Sequence, residues 1–318
     1  MSVTPEKQPV VVIGDLIVDE LVEWTPDGQR SVSYPGGAGC NVAIDLVALG
    51  TPAILLAEVG DDPAGHRLRR IVRERGVDLR PLGTSRPTGW ATSSRIDGEP
   101  TYTFTGSVCD RQFTVGPDIA AGLGRERLLV VTTFPFDDAG QVDDLLALAS
   151  GGGHRLMVDP NPRPRLLRDP AGFRTGFLRV AAESVLVKLS EQDHAALDLP
   201  PVEPWCDGLF TAGAQAVVLT RGGAGVRGDP PDGTSIETPA PPRPPVPGTM
   251  GARDAVLAVI AAAVADAHSP RATEWWDAAA RAVDFASGIV AAPGGHADAR
   301  PFGREVTMPG PAHGRPTG

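Results

Sequence analysis

Lysine is almost absent from this sequence, since only Lys7 and Lys188 occur among 318 residues. Acidic residues outnumber basic ones and give a formal net charge of −10 at pH 7. This balance argues against general binding to nucleic acid or to acidic membrane surfaces. Such a chain can still bind phosphate groups locally, through backbone amides and through arginine, whose guanidinium suits bidentate contacts.

Cysteine is also scarce. Cys40, Cys109 and Cys206 are an odd number without metal-like spacing, so no disulfide framework is expected. This fits a reducing cytoplasm. The N-terminus lacks the basic and apolar regions of a secretory signal, and the Val10–Ile13 run is far too short to cross a bilayer. We expect a cytoplasmic protein that binds no membrane.

Short apolar runs alternate with helical patterns along the chain. With 42% hydrophobic residues available for a core, this alternation predicts an α/β fold: a doubly wound, mostly parallel sheet with helices on both faces. Helices are predicted at Asn41–Leu49 and Asp138–Ala149, and around Leu68 with a stop at Gly76. Buried strands are predicted at Val10–Ile13, Ala53–Val59, Leu128–Thr132, Leu156–Val158, Val185–Leu189 and Ala216–Leu219.

Two polar, β-prone segments, about residues 20–35 and 88–106, interrupt this rhythm, and the second contains the turn signal Asp97-Gly98. We predict a small antiparallel lid over one end of the sheet, with two surface hairpins of no function as the alternative. The main domain is predicted to span residues 9–300. Pro239–Pro247 should be an extended connector, and the Pro/Gly-rich residues 308–318 a flexible tail.

A glycine-rich segment, Pro35–Asn41, precedes an apolar helix. Its glycines would let the backbone approach a ligand, and Asn41 could cap the helix or offer its amide to a hydroxyl. A tight turn between strand and helix would use the same residues. Upstream, Asp15 and Asp19 follow the first strand, at the edge where open α/β sheets bind ligands. A carboxylate there can orient a polyol, although either aspartate could instead serve as a cap.

A second glycine-containing turn, Gly248–Asp254, opens a helix predicted at Ala255–Ala267. Unpaired amides at a helix N-terminus carry partial positive charge and can neutralise charge on a transferring phosphoryl group. Asp254, in the first turn, can take the proton from an attacking hydroxyl. Aspartate is also a common helix-start residue, so the pattern alone leaves both roles open.

In order and spacing, these segments resemble the signatures of the ribokinase-like (PfkB) carbohydrate kinase family. The first signature is Gly-Asp-x-x-x-Asp followed by Gly-Gly-x-Gly-x-Asn before a helix. The resemblance implies that Asp19 and Asn41 hold the sugar, and that the lid covers it. The predicted substrate-binding set is Asp15, Asp19, Gly36, Gly37, Asn41 and Arg163.

The second signature, Asp-Thr-x-Gly-Ala-Gly-Asp, is matched at Thr249, Gly251, Ala252 and Asp254. The resemblance implies that Asp254 is the general base, that the amides of Gly251, Ala252, Arg253 and Asp254 form the anion hole, and that Thr249 contacts the nucleotide. The sequence departs from the pattern at Gly248, where the family has Asp, and at Arg253, where it has Gly. Arg253 could strain the backbone, block the anion hole or direct its guanidinium at phosphates.

Two further segments resemble nucleotide-site motifs. Lys188–Asp193 resembles the family's Asn-x-x-Glu segment, which implies that Lys188 and Ser190 lie on the nucleotide side and that Asp193 organises Mg²⁺. Helix capping by Ser190 explains the same residues locally. Leu219–Gly225 resembles the nucleotide-binding turn, which implies contacts from Thr220, Gly222 and Gly225; a plain β-turn is the alternative.

Asp159–Arg163 resembles the Asp-Pro-Asn-x-Arg of fructokinase-like and ketogluconate-kinase-like members, which implies that Arg163 contacts an acidic or ketose substrate. A rigid loop would explain this segment equally well. The family further implies a monovalent-cation site, K⁺ for example, near the C-terminal loops and a homodimer formed through the lid.

The resemblance as a whole implies phosphorylation of a hydroxyl on a sugar or sugar-like molecule, with ATP and Mg²⁺. A diverged, inactive sugar- or nucleotide-binding protein is one alternative, because of Gly248 and Arg253. A nucleoside kinase on the same fold is another, weakly disfavoured by the 5% aromatic content. A dinucleotide-dependent oxidoreductase is excluded, because Gly14–Ile17 lacks the glycines that such a turn needs.

Overall fold

The computed structural model describes residues 7–25, 28–96, 99–125, 127–230, 233–241, 251–265, 272–290, 296–297 and 306–309. The strands of these residues, numbered in chain order, are β1 (Val10–Ile13), β2 (Ile17–Thr25), β3 (Gly28–Gly36), β4 (Ala53–Glu58), β5 (Asp78–Leu82), β6 (Trp90–Ile96), β7 (Glu99–Thr105), β8 (Leu128–Thr132), β9 (Arg155–Asp159), β10 (Ser184–Ser190), β11 (Ala216–Thr220), β12 (Val226–Asp229), β13 (Ile236–Thr238) and β14 (Val306–Pro309). The α-helices are α1 (Ala38–Ala48), α2 (Pro63–Glu74), α3 (Pro117–Gly122), α4 (Ala139–Gly152), α5 (Pro170–Ala182), α6 (Glu191–Ala196), α7 (Val202–Ala212), α8 (Ala252–Val264) and α9 (Ala272–Val290).

The larger sheet has the strand order β13-β12-β11-β10-β9-β8-β1-β4-β5 within the described residues. From β11 to β5 all neighbours pair in parallel, and β12 and β13 add an antiparallel edge. The chain winds outward from β1 in both directions, which places helices on both faces. The predicted α/β fold with a mostly parallel sheet is therefore confirmed.

The two faces of the sheet are covered by separate apolar clusters. Along β1, Val10 and Val12 face the cluster that contains α1, α8 and α9, whereas Val11 and Ile13 face the one that contains α4, α5 and α7. All four residues are buried. A strand packed on both faces needs a continuous apolar run, which is why the sequence pattern identified these strands.

A second sheet, with the order β14-β3-β2-β6-β7, is formed mainly by the two segments predicted as a lid. The β2–β3 hairpin pairs from Ile17↔Gly36 to Thr25↔Gly28, and β6 lies parallel to β2. Strands β6 and β7 form a second hairpin. The predicted turn at residues 97 and 98 lies outside the described residues.

The C-terminal boundary of the predicted tail needs correction. Met308 and Pro309 belong to β14 and pair with Gln29 and Gly28 of β3, so these two residues are not part of a flexible tail. The exposed edge of β3 offers unpaired backbone groups that an extended segment can satisfy. Residues 310–318, like most of the predicted proline-rich connector (242–247), lie outside the described residues.

Some elements differ from the predictions. Helix α8 begins at Ala252, three residues before the predicted start, because Gly251 adopts φ 74° and serves as the N-cap. Strands β5, β12 and β13, and helices α3, α5, α6, α7 and α9, were not predicted. Among the described helices, none has an apolar stretch long enough to traverse a bilayer.

Candidate active site

Glycines hold the first signature segment tightly against the end of β1. A Cβ at Gly36 would collide with the carboxylate of Asp19. Gly37 adopts φ 93°, and a Cβ there would lie 2.6 Å from the carbonyl oxygen of Asp15. Only glycine fits these two positions without displacing the aspartates, so the loop brings the predicted substrate-binding residues together before α1 begins.

Asp19 lies partly buried on β2. Burial raises its pKa to about 7, against the opposing influence of the Arg163 guanidinium and of the Gly37 backbone amide, which donates to the carboxylate. Asp15 and Asp254 are close enough to act on the same pKa. The structure therefore brings Asp19, Gly37 and Arg163 into one cluster, although Arg163 comes from the loop after β9.

Asp15 is buried beside residues that the sequence did not single out. Burial raises its pKa, while Arg111 and the Thr133 hydroxyl act in the opposite direction. Arg111 Nη1 lies 3.8 Å from Asp15 Oδ2 and donates to the Thr133 carbonyl oxygen at 2.6 Å. A pocket beside Asp15 is lined by Glu58 and Arg111 together with Ile17, the first residue of β2, and residues that follow β7. Arg111 follows the lid in an irregular loop, where no periodicity or motif marks it.

The two signature segments meet at a hydrogen bond. Asn41 Nδ2 donates to Asp254 Oδ2 at 2.8 Å, although the residues are 213 positions apart in sequence. Asn41 lies in the first turn of α1 and Asp254 in the first turn of α8, and both side chains are buried. The predicted general base, Asp254, and a residue predicted to bind the sugar, Asn41, thus lie in one site.

The N-terminus of α8 has the form of an anion hole. Gly251 is the N-cap, so the amides of Ala252, Arg253 and Asp254 lie in the first helical turn and have no acceptor inside the helix. Arg253 does not occur among the described non-glycine residues with positive φ, so this departure from the family pattern causes no backbone strain. Gly248 and Thr249 lie outside the described residues.

The Arg253 side chain turns toward α6. Its Nη1 donates to Ser190 Oγ at 3.1 Å and to the two carboxylate oxygens of Asp193 at 3.0 and 3.2 Å. Arg253 is thus placed beside the segment that was predicted to contact the nucleotide and magnesium.

Ser190 and Asp193 form a capping box at the start of α6. Asp193 Oδ2 accepts from the Ser190 amide at 3.0 Å, and Ser190 Oγ accepts from the Asp193 amide at 3.1 Å. With Arg253 added, the carboxylate oxygens of Asp193 are held by protein donors, and the described residues contain no cluster able to hold a metal ion. The Asp193 carboxylate is thus engaged by protein donors in this structure, and its role toward magnesium stays a prediction.

Lys188 lies in the interior of the protein. Its side chain is fully buried, and Nζ donates to Asp159 Oδ2 at 2.6 Å. In this structure it compensates the buried Asp159, because a charged group inside a protein needs a partner of opposite charge. Its place on the nucleotide side stays a prediction.

Thr220 ends β11 next to Ser190, which ends β10, and the two are paired in the parallel register. The following turn uses Gly222 at φ 54° and Gly225 at φ 92°, where a Cβ would collide with the carbonyl oxygen of Thr238. The predicted nucleotide turn and the Ser190–Asp193 segment therefore lie side by side at the carboxyl edge of the sheet.

Several buried polar atoms at this edge have no hydrogen-bond partner among the described residues. Four such atoms lie here: three belong to residues at or just after the ends of the neighbouring strands β8 and β9, and one belongs to a residue of α1. Asn161, which follows β9 at φ 38°, lies within the Asp159–Arg163 motif and was not predicted as a site residue. Buried polar groups ordinarily have partners, so this edge suits a polar ligand. The atoms are Asn41 Oδ1, Thr132 Oγ1, Asp159 Oδ1 and Asn161 Oδ1.

One comparison with known proteins identifies a family. The family model described as pfkB family carbohydrate kinase matches residues 7–301. A fructokinase from Rhizobium leguminosarum bv. trifolii is 28% identical over 228 residues, which are 69% of this chain and 69% of that protein.

Two solved structures share the fold over most of their length. A fructokinase with bound ATP from Xylella fastidiosa has a TM-score of 0.76 at 19% identity and covers 91% of this chain and 94% of its own. A fructokinase double mutant from Vibrio cholerae O395, bound to fructose, ADP and potassium, has a TM-score of 0.72 at 18% identity, with 92% and 94% covered. At these identities the likeness shows the fold.

Proposed function

The chain belongs to the pfkB family of carbohydrate kinases, and from this premise we propose that it transfers the terminal phosphoryl group of ATP to a hydroxyl of a ketose such as fructose. The family assignment makes the chain a kinase. The choice of a ketose is supported by the curated relatives named fructokinase and by the arginine at position 163, whose motif resembles that of fructokinase-like members.

One observation carries the proposal: Asn41 Nδ2 lies 2.8 Å from Asp254 Oδ2. A hydroxyl held by the first signature segment would therefore reach the carboxylate that is to accept its proton. The amides of Ala252, Arg253 and Asp254 begin the same helix and point along its axis toward the N-terminus. They would stabilise charge on the phosphoryl group as it moves between the nucleotide and the acceptor.

The remaining groups position the acceptor. Asp19, when ionised, can accept hydrogen bonds from two neighbouring hydroxyls, and Arg163 can donate to another oxygen of the sugar. Asp19 lies on β2, which is a strand of the lid sheet, so the lid adjoins the acceptor site. Closure of the lid over the acceptor would exclude water from the reacting groups. Phosphoryl transfer depends mainly on positioning and charge neutralisation, which these residues supply; magnesium, when it arrives with ATP, adds charge on the phosphates.

The test is substitution of the proposed base. Asp254→Asn keeps an oxygen for the Asn41 amide but cannot accept the proton, so we expect kcat with fructose and ATP to fall by roughly 10²–10⁴-fold. ADP release would be followed with fructose, ribose, glucose and a nucleoside as acceptors. Asp118→Asn, an exposed aspartate in the first turn of α3, is the matched control and should keep the wild-type rate.

A near wild-type kcat for Asp254→Asn would remove Asp254 from this role. ADP release with the nucleoside in preference to the sugars would favour a nucleoside kinase. No ADP release with any acceptor, despite bound ATP, would favour the inactive sugar- or nucleotide-binding alternative.

A further inference from the structure

Arg253 stands in an unfavourable place for a cation. It is the second residue of α8, and the partial positive charge of a helix N-terminus disfavours a positive side chain there. The structure offsets this with Asp193, whose carboxylate oxygens lie 3.0 and 3.2 Å from Arg253 Nη1. Ser190 Oγ accepts from the same nitrogen at 3.1 Å. The stability of α8 therefore does not explain why an arginine occupies position 253.

The net charge of the residues around Arg253 offers an explanation. Asp159, Asp193 and Asp254 are all close enough to act on the Arg253 guanidinium, and Lys188 is paired with Asp159. The three carboxylates and two cations leave a formal charge of −1, and a glycine at position 253 would leave −2. A nucleotide brings several negative charges to this point. Without Arg253 the group of residues beside the anion hole would repel it more strongly.

Of the two cations in this group, only Arg253 has an exposed side chain in this structure. The Lys188 side chain is 0% exposed, whereas the Arg253 side chain is 34% exposed. The contacts that Arg253 makes with the described residues run through Nη1 alone. A guanidinium carries five N–H donors in a planar fork that matches phosphate oxygens. Its other donors are thus suited to a ligand at the adjoining helix N-terminus.

We propose that Arg253 is a nucleotide-binding residue whose guanidinium contacts the terminal phosphates of ATP. Asp193 and Ser190 hold the side chain beside the anion hole and release part of it when the nucleotide arrives. Arg253 thereby supplies positive charge from the chain itself beside the N-terminus of α8. The inference rests on the proposed function, because it assumes that ATP occupies this site.

The experiment measures ATP binding by isothermal titration calorimetry in magnesium buffer without an acceptor. We expect Arg253→Met to raise the Kd for ATP by about tenfold or more, as for loss of a charge-assisted hydrogen bond to phosphate. Arg253→Lys keeps the charge without the fork and should recover part of the affinity. Arg179→Met, which breaks a surface ion pair with Asp143, is the control and should bind ATP like the wild type.

Asp193→Asn gives the distinguishing result. Asp193 competes with phosphate for the guanidinium in our proposal, so this variant should bind ATP as tightly as the wild type or more tightly. A fall in affinity of threefold or more would overturn the proposal, since Asp193 would then itself support the nucleotide or its metal. Where Arg253→Met fails to fold in a thermal melt, Arg253→Lys is compared with the wild type instead, and an unchanged Kd for ATP would overturn the proposal.

Equal ATP affinity in the wild type and Arg253→Met would overturn the inference and leave the proposed kinase function intact. Absence of ATP binding by the wild type would overturn both. A wild type that binds ATP and releases no ADP with any acceptor would count against the kinase function alone, and the Arg253 comparison would still be decisive.

Discussion

The ionisation of Asp19 governs what this residue can do for an acceptor. Only a charged carboxylate accepts hydrogen bonds from two hydroxyls without donating one itself. Burial raises the pKa of Asp19 to about 7, so a substantial fraction is protonated at neutral pH in the absence of an acceptor. Arg163 opposes this rise and thereby favours the charged form.

We therefore expect kcat/KM for the acceptor to increase as the pH rises through about 7, because the carboxylate is charged above its pKa. Arg163→Met removes a charge that lowers this pKa, so its profile should inflect at a higher pH than that of the wild type. The measurement is initial rate at low acceptor and saturating ATP between pH 5.5 and 9, a range of about 1.5–2 units on either side of that pKa. An unchanged inflection in Arg163→Met would contradict the assignment to Asp19.

At the scale of elements, two sets of hydrogen bonds between described residues help to attach the lid to the main domain. Near its base, Asp62 accepts from the Thr88 amide at 2.7 Å and from the Thr88 hydroxyl at 2.8 Å while it caps α2 through the Gly65 amide. Farther out, Arg165 Nη1 donates to the Tyr102 carbonyl oxygen on β7 at 2.7 Å. The first attachment is part-buried and fixes the lid, whereas the second is exposed and suited to opening.

The Arg165 contact gives a prediction about the lid. Arg165→Ala should raise the KM for the acceptor a few-fold with little change in the Kd for ATP, because β7 loses a tether on the acceptor side only. Hydrogen exchange of the backbone amides of 99–105 should become faster. The control is Arg80→Ala, which removes a similar exposed bond, to the Gly122 carbonyl oxygen, away from the lid. Unchanged exchange in 99–105 would show that Arg165 does not hold the lid.

For the molecule as a whole, ionisation of the buried Asp45 lowers the free energy of unfolding. Asp45 lies fully buried on α1, and Oδ1 accepts from the Ala297 amide at 2.8 Å. Burial raises its pKa to about 8, and the charge of Asp254 acts in the same direction. The folded-state pKa thus exceeds the unfolded value of 3.8, so the folded state holds the extra proton between these two pH values. Stability is then lost progressively as the pH rises from 3.8 to about 8, and this loss is complete above that pH.

Asp45→Asn removes this titration while keeping an acceptor for the Ala297 amide. We expect the variant to exceed the wild type in free energy of unfolding by a few kcal/mol at pH 8.5 and by much less at pH 5. Urea denaturation at several pH values measures this difference. Asp118→Asn, at an exposed position, should show no such trend. A difference that stays constant with pH would exclude the proposed protonation of Asp45.

Two family-based expectations for the whole molecule stay predictions. The homodimer was expected to form through the lid, where β7 is an edge strand within the described residues and Tyr102 is 44% exposed. The monovalent-cation site was expected near the C-terminal loops, and residues 291–295 and 298–305 lie outside the described part of the chain.

The sequence by itself determined the interior of the fold. The predicted strands at 10–13 and 128–132 coincide with β1 and β8, because a strand buried on both faces must be apolar at every position. Strand β5 was missed since it is an edge strand and carries Asp78, Arg80 and Pro81. The order of the motifs also determined which side chains would converge, as the Asn41–Asp254 hydrogen bond shows.

Only the tertiary structure decided what the charged side chains do once they converge. Lys188 pairs with Asp159, 29 residues away, and Arg253 pairs with Asp193, 60 residues away. Local spacing contains no information about such partners. Which carboxylate a cation meets depends on how the strands and helices are arranged, and the cost of leaving a buried charge unpaired then selects the contact.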